Sequence, residues 1–338
     1  MNSTFPQDEA LARIEAKAAP RGRIAVGGWI GYAIAMRANP TASGAGISPG
    51  TSRGTPSGIP PGLLLDARGG AGARRRAVGR DVADGTVQWK LAFVLGWLDI
   101  KLRYRGSVLG PFWLTLSTAV MVASMGLIYG TLFGIVLRDY LPFLALSMIL
   151  WQSGISGLTG DACTVFLDAE QIIRSVRMPF TVQVLRCIVR NVIVLGHNLI
   201  VVVVVFAIFS AWPGLAALLA LPGLALWLVD AVAACFLFGS ICARFRDVPP
   251  IVASIMQIAF YITPIIWKPA QLGAHTWWLP MNPFYSLLEI VRGPILGTSL
   301  SMHQAAVLWL SALGYSALLW FAAWVVFSRA RGRLAFWV

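Results

Sequence analysis

From Trp89 onward the chain alternates between long apolar runs and short polar connections, and the first transition sets the pattern. The stretch Trp89 to Trp113, WKLAFVLGWLDIKLRYRGSVLGPFW, carries a basic amphipathic segment through Gly110-Pro111 into an apolar run. On a helix, Trp89, Phe93, Gly96/Trp97 and Ile100/Tyr104 recur at three- and four-residue steps, while Lys90, Asp99, Lys101, Arg103 and Arg105 gather toward its end. A helix of that kind lies flat at a bilayer surface. Phe112 to about Leu137 is then the first run long enough to cross roughly 30 Å of hydrocarbon, and Arg138-Asp139 ends it. Leu141 to about Val165 makes the second crossing, with Pro142 in its first turn.

The segment LDAEQIIRSVRMP, Leu167 to Pro179, is too charged and too short to cross and is expected as a surface helix. Phe180 to Phe209 carries Arg186 and Arg190 early, so the third crossing is its later two-thirds. Trp212-Pro213-Gly214 is a tight turn, and Leu215 to about Cys242 is the fourth crossing, with Asp230 inside it. A polar corner at Arg244 to Asp247 leads through Pro249-Pro250 into a fifth, Val248 to Trp267, interrupted near its far end by Pro264. Gln271 to Leu279 and Pro283 to Leu296 are apolar but short, which suggests re-entrant or interfacial helices lining protein or a wet cavity. Gln304 to Ser328 is the sixth crossing. The fold class expected is an all-α membrane protein of six transmembrane helices, with an amphipathic interfacial helix before them and short re-entrant helices outside.

Composition agrees with the pattern. At 57% hydrophobic and 12% charged, 338 residues carry more apolar surface than one soluble core hides. The net charge of +13 would suggest nucleic acid in a soluble chain. Here the basic residues sit before the first apolar run or in short connections, so their placement reads as topology. Six crossings put both termini on one side, and of the 27 Lys and Arg only Arg138, Lys268 and Arg292 fall opposite. Even without residues 1–87 the count is 13 against 3. By the positive-inside rule both termini are cytosolic and the protein sits in the cytoplasmic membrane.

Residues 1–87 differ in kind, with Pro, Gly, small residues and clusters such as Arg74-Arg75-Arg76, and are expected to be a disordered N-terminal extension. Arg21 and Arg23 before the apolar Ile24 to Met36 imitate a signal peptide. That stretch starts far from Met1, and cleavage would strand the basic residues 68–80 outside. An over-extended gene start reads as well as a translated extension.

Catalytic constellations do not emerge. None of the four lysines, Lys17, Lys90, Lys101 and Lys268, follows a glycine, so there is no P-loop. His197, His275 and His303 are scattered without ligand spacing, and Cys163, Cys187, Cys235 and Cys242 show no C-x-x-C. No metal, cofactor or catalytic residue is expected in this chain. What stands out is a pair of polar elements on the terminus side, Asp168 to Pro179 and Arg244 to Asp247, which suit a docking surface or a solvated connector. On the other side gather Trp267, Trp277, Trp278, Phe284 and Tyr285, which suit an interfacial aromatic belt or a sugar-stacking surface. Asp230 is the one acid deep in a crossing, a functional candidate unless a neighbouring helix's Ser or Thr satisfies it. Glu289 and Arg292 form an i,i+3 pair.

Four motifs in order, DIKLRYRGSVLGPFW (99–113), EQIIRSVRMP (170–179), RFRDVPPIVASIMQIAFYITPIIW (244–267) and NPFYSLLEIVRGPILG (282–297), resemble the permease subunit of ATP-binding-cassette polysaccharide exporters. That family moves O-antigen, capsular polysaccharide and teichoic acid chains. The resemblance covers residues 88–338 and implies a homodimer with a channel at its interface. Two copies of a separate P-loop ATPase subunit would bind the ATP and Mg. It implies ATPase coupling through Asp168, Glu170, Arg174 and Arg177, joined by Arg244, Arg246 and Asp247 in the corner. It makes Trp113, Tyr129, Phe260 and Tyr261 channel-wall candidates, with Trp267 and Tyr285 at the aromatic outer end. Lys101, Arg103 and Arg105 would meet the pyrophosphate of a lipid-linked glycan at the entry, or serve only as a cytosolic anchor. Its long N-terminal extension is a departure from the family. A small-molecule or drug exporter of the same architecture, and a membrane-embedded glycan transferase, remain as alternatives.

Overall fold

The computed structural model describes residues 71–105, 112–132, 134–298 and 301–338. Gly110-Pro111 and residues 1–70 lie outside them. Among the described residues every regular element is helical. Five stretches are long and apolar enough to cross a membrane: Thr115–Leu132, Leu137–Thr164, Phe180–Phe209, Leu215–Arg244 and Met302–Trp337.

Two helices precede the first of these. Ala71–Val87 (α1) belongs to the extension expected to lack fixed structure. It folds instead because Asp81, 3% exposed, is bonded into the rest of the chain. Trp89–Arg103 (α2) forms within the amphipathic segment. Ala92, Gly96 and Ile100 are buried, while Trp89, Phe93 and Trp97 are exposed. At Gly96 a Cβ would come within 2.9 Å of the Arg186 carbonyl oxygen, so only glycine allows this approach of two backbones.

Phe112–Leu132 (α3) is the first spanning helix. Leu137–Ile149 (α4) starts four residues before the expected Leu141, so Arg138 and Asp139 belong to its first turn and do not end the preceding run. Val136, extended at φ −61° and ψ 123°, sets that start. Pro142 therefore lies inside α4, where its missing N–H removes the helical bond to the Arg138 carbonyl. The helix continues as a π-helical stretch, Leu150–Ser156, and as Gly157–Thr164 (α5). Widened turns of this type are frequent at functional sites. Here one seats Trp227 over Gly154, where a Cβ would be 2.6 Å from the indole.

Glu170–Ser175 (α6) is the surface helix, shorter than the charged segment that contains it. Phe180–Phe209 (α7) ends at Ser210 in the left-handed conformation. A 3-10 turn, Leu215–Leu219, leads into Ala220–Arg244 (α8). Val248–Ile262 (α9) opens with Pro249-Pro250 and stops before the expected Trp267. Pro264 disfavours helical backbone at Thr263, which is extended at ψ 136°. At 15 residues α9 is about 22 Å long, short of the ~30 Å hydrocarbon layer. Two 3-10 segments, Pro269–Thr276 and Leu279–Met281, precede Pro283–Leu296 (α10), capped by Asn282 and closed by Gly297 at φ 67°. Met302–Trp337 (α11) starts with a Ser301/Gln304 capping box.

Two apolar clusters hold the bundle. One joins α4, α7, α9 and α10 through residues that include Tyr140, Leu144, Val201, Met256 and Leu288. The other sits at the terminus end, where Phe166, Phe180, Phe327 and Phe236 pack ring to ring. The four cysteines are buried free thiols within these elements.

Candidate functional site

At the terminus end, several polar segments far apart in sequence meet. Asp168 is exposed and accepts from Thr164 Oγ1 at 2.9 Å, closing the turn before α6. Glu170 and Arg174 pair along α6 at 2.9 Å, and Arg174 Nε also donates to the Val338 carbonyl at 3.1 Å. Arg177 is exposed on the segment that leaves α6. On the neighbouring corner, the Arg244 guanidinium lies 5.4 Å from the Trp337 ring centroid, and Arg246 donates to the Trp337 carbonyl at 3.5 Å. Asp247 is exposed immediately before α9. The two polar elements singled out in the sequence are thus gathered around one residue pair, Trp337 and Val338. Neither of those stands out in the sequence.

Asp81 is another residue that sequence reasoning misses. Its carboxylate accepts from the backbone N–H groups of Phe180 and Thr181, both at 3.2 Å, from Thr181 Oγ1 at 2.9 Å and from Arg331 at 3.2 Å. It satisfies the first free donors of α7 and places a negative charge at the positive end of that helix dipole. The chain leaving the α6 segment is thereby fixed to both α1 and α11. Period and spacing give no hint of this, because the partners are 99 to 250 positions away.

Beside this platform runs α2. Asp99 accepts from Arg186 Nε and Nη2 at 2.6 Å each, and Arg190 bridges Asp161 at 2.9 Å. These ion pairs bind α2 and α5 to α7 through the two arginines whose early position shortens the expected third crossing. Lys101, Arg103 and Arg105 are exposed beyond the pairs and make no ion pair among the described residues.

Some of the aromatic candidates form one chain of rings. Phe284, Trp151, Phe260 and Tyr261 follow one another with ring centroids 5.5, 6.2 and 5.2 Å apart, and Trp267 Nε1 donates to the Tyr261 carbonyl at 3.3 Å. Trp151 is not among the sequence candidates, since within an apolar run nothing marks it out. Tyr129 is half-buried against the larger of the two apolar clusters. Trp113 is 60% exposed at the start of α3, apart from this chain of rings. Tyr285 is buried near Glu289 and Arg292. The exposed faces of α3 and α9 are apolar, with Leu116, Val120 and Leu127 on one and Ile251, Ile255 and Ile258 on the other.

At membrane depth Asp230 accepts from Ser316 Oγ at 2.6 Å, the partner class expected of a satisfied acid, though its Oδ1 has no partner among the described residues. Arg292 donates to Glu289, to Ser147 Oγ at 2.9 Å and to the Pro264 carbonyl at 2.6 Å. No cluster of His, Cys, Asp and Glu fit to hold a metal is found among the described residues.

Comparison with known proteins decides the class. No family model matches the chain. It is 25% identical over 197 residues, 56% of this chain and 74% of the relative, to the O-antigen export system permease protein RfbA of Myxococcus xanthus. Two proteins of the same name from Klebsiella pneumoniae are 24% and 26% identical over 221 and 223 residues, about 64% and 63% of this chain and 83% of each relative. The chain is similar to export-system permeases. Permeases are subunits of transport machinery and not enzymes. The five long apolar helices place the chain in a membrane as a multi-pass protein.

Proposed function

We propose that the chain is the transmembrane subunit of an ATP-binding-cassette exporter that moves a lipid-linked polysaccharide, of the O-antigen or capsular kind, across the cytoplasmic membrane. The likeness to three O-antigen export permeases carries this reading. The platform around Trp337 supports it: α6 and the 244–247 corner are braced on one helix end, so a push at either is passed to α11 and, through Asp81, to α7. A separate P-loop ATPase, two copies to a homodimer, would supply that push and bind the ATP and Mg.

In this reading α9 with the irregular residues 263–267 completes a sixth crossing, both termini are cytosolic, and α2 lies at the cytosolic interface with Trp89, Phe93 and Trp97 turned to lipid. The apolar outer faces of α3 and α9 meet their copies across the dimer, with Trp113 and the Phe260–Tyr261 rings beside the path of the glycan. Stacking on such rings suits sugars, whose C–H faces are apolar.

The test is co-expression with a P-loop ATPase sought in the adjacent open reading frames. Charge reversal by Glu170→Arg with Arg177→Glu is expected to abolish glycan-stimulated ATP hydrolysis while the chain still inserts. Normal co-purification and normal stimulation in that variant would refute the docking assignment.

A further inference from the structure

The three cations that the charge count leaves on the far side of the membrane, Arg138, Lys268 and Arg292, come from three separate segments and line one cleft of about 550 Å³. Its walls are the first turn of α4, the turn after α7, the residues after α9 and the last turns of α10. All of these are helix ends opposite the termini.

Charges inside the cleft do not cancel. Arg292 is neutralised by Glu289 and also donates to Ser147 and the Pro264 carbonyl. Lys268 Nζ donates to the Asp139 backbone carbonyl at 2.9 Å, which leaves two of its three N–H groups for something else. Phe143 is shared between the Lys268 ammonium and the Arg292 guanidinium, 5.7 and 4.6 Å from its centroid, and so holds the lysine stem at the cleft. Arg138 lines the rim and forms no ion pair among the described residues. Against Arg138 and Lys268 stands one carboxylate, that of Asp139. The remainder is one positive charge.

We infer that this cleft is a binding site for a singly charged phosphodiester, its phosphate oxygens bridging Arg138 and Lys268 and its ester body resting on Trp212, Ile295 and Leu296. A pyrophosphate, with two or more charges, would be under-compensated there. A phosphodiester is the monoanion found at the ends of membrane-crossing helices, as the headgroup linkage of phospholipids. Arginine and lysine at such a depth bind it by charge-assisted hydrogen bonds. The site rests on the membrane-spanning reading above but not on what is exported.

The full chain, purified in detergent, is exchanged against equal phosphatidylglycerol and diacylglycerol, and the lipid retained is read by native mass spectrometry. Wild type is expected to keep phosphatidylglycerol preferentially. The Arg138→Gln, Lys268→Gln double variant should retain about a hundredfold less, roughly tenfold for each charge-assisted hydrogen bond removed. Arg329→Gln with Arg333→Gln, at the opposite end, should retain the wild-type amount. Competition with soluble glycerophosphoglycerol separates the sources: displacement shows that the phosphodiester alone suffices, and resistance shows that the lipid body is bound too. Equal retention of both lipids by wild type, or equal loss in the two double variants, overturns the site. Because no transport is measured, a failed export assay leaves this result standing.

Discussion

Neutralising Asp99 perturbs the strongest polar link between α2 and the bundle. Its two oxygens meet Arg186 Nε and Nη2 at 2.6 Å, with the two side chains 16% and 18% exposed. Two unit charges about 4 Å apart attract by ~4 kcal/mol at an effective dielectric near 20. Desolvation and partial exposure take back roughly half, leaving a coupling of about 2 kcal/mol. Asp99→Asn and Arg186→Gln should each destabilise the protein by about 2–3 kcal/mol, since each strands one partly buried charge. The double variant should be little worse than either. In a chain of this size each kcal/mol moves the unfolding temperature by roughly 2–4 °C. Thermal unfolding of the detergent-solubilised protein therefore reads a drop of about 4–12 °C for the singles and a similar drop for the double. Additive losses would show that the pair contributes nothing, and that Gly96 packing alone seats α2.

Other consequences follow from the same geometry. Asp81→Asn weakens the capping of α7 and frees Arg331, at a cost of about 1–2 kcal/mol; hydrogen exchange should rise at Phe180 and Thr181, and unchanged exchange would contradict the cap. Ser316→Ala leaves Asp230 with two unmatched oxygens and should cost about 1–3 kcal/mol, whereas Asp230→Leu removes the demand altogether and should cost less in the same melting assay. Arg103→Gln with Arg105→Gln should lower glycan-stimulated ATPase activity while membrane insertion is unaltered; stimulation equal to wild type would reduce those arginines to an anchor.

The long crossings are legible because length and apolarity alone mark a helix that spans a bilayer. The ends of the helices are less so. Leu137 begins α4 because Val136 is extended, and Ile262 ends α9 because Pro264 follows, both local effects that the broad apolar pattern hides. The stripe of Trp89, Phe93 and Trp97 is visible as one face of α2, but which face packs is not. Small Ala92 and Gly96 allow close approach to α7, and in a membrane the large rings need no burial against protein. Within the candidate site, α6 and the 244–247 corner can be read from charge between apolar runs. Their meeting at Trp337, and the hold of Asp81 on α7, cannot, because those bonds join residues 91 to 250 positions apart.

Carriage of finished polysaccharide across the membrane by this chain is tested most directly by deleting its gene. Surface polysaccharide should then disappear while full-length lipid-linked glycan accumulates on the cytosolic leaflet, and the intact chain should restore export only together with its ATPase. Glycan of reduced length, as loss of a transferase would leave, or surface polysaccharide at the wild-type level would contradict the exporter reading.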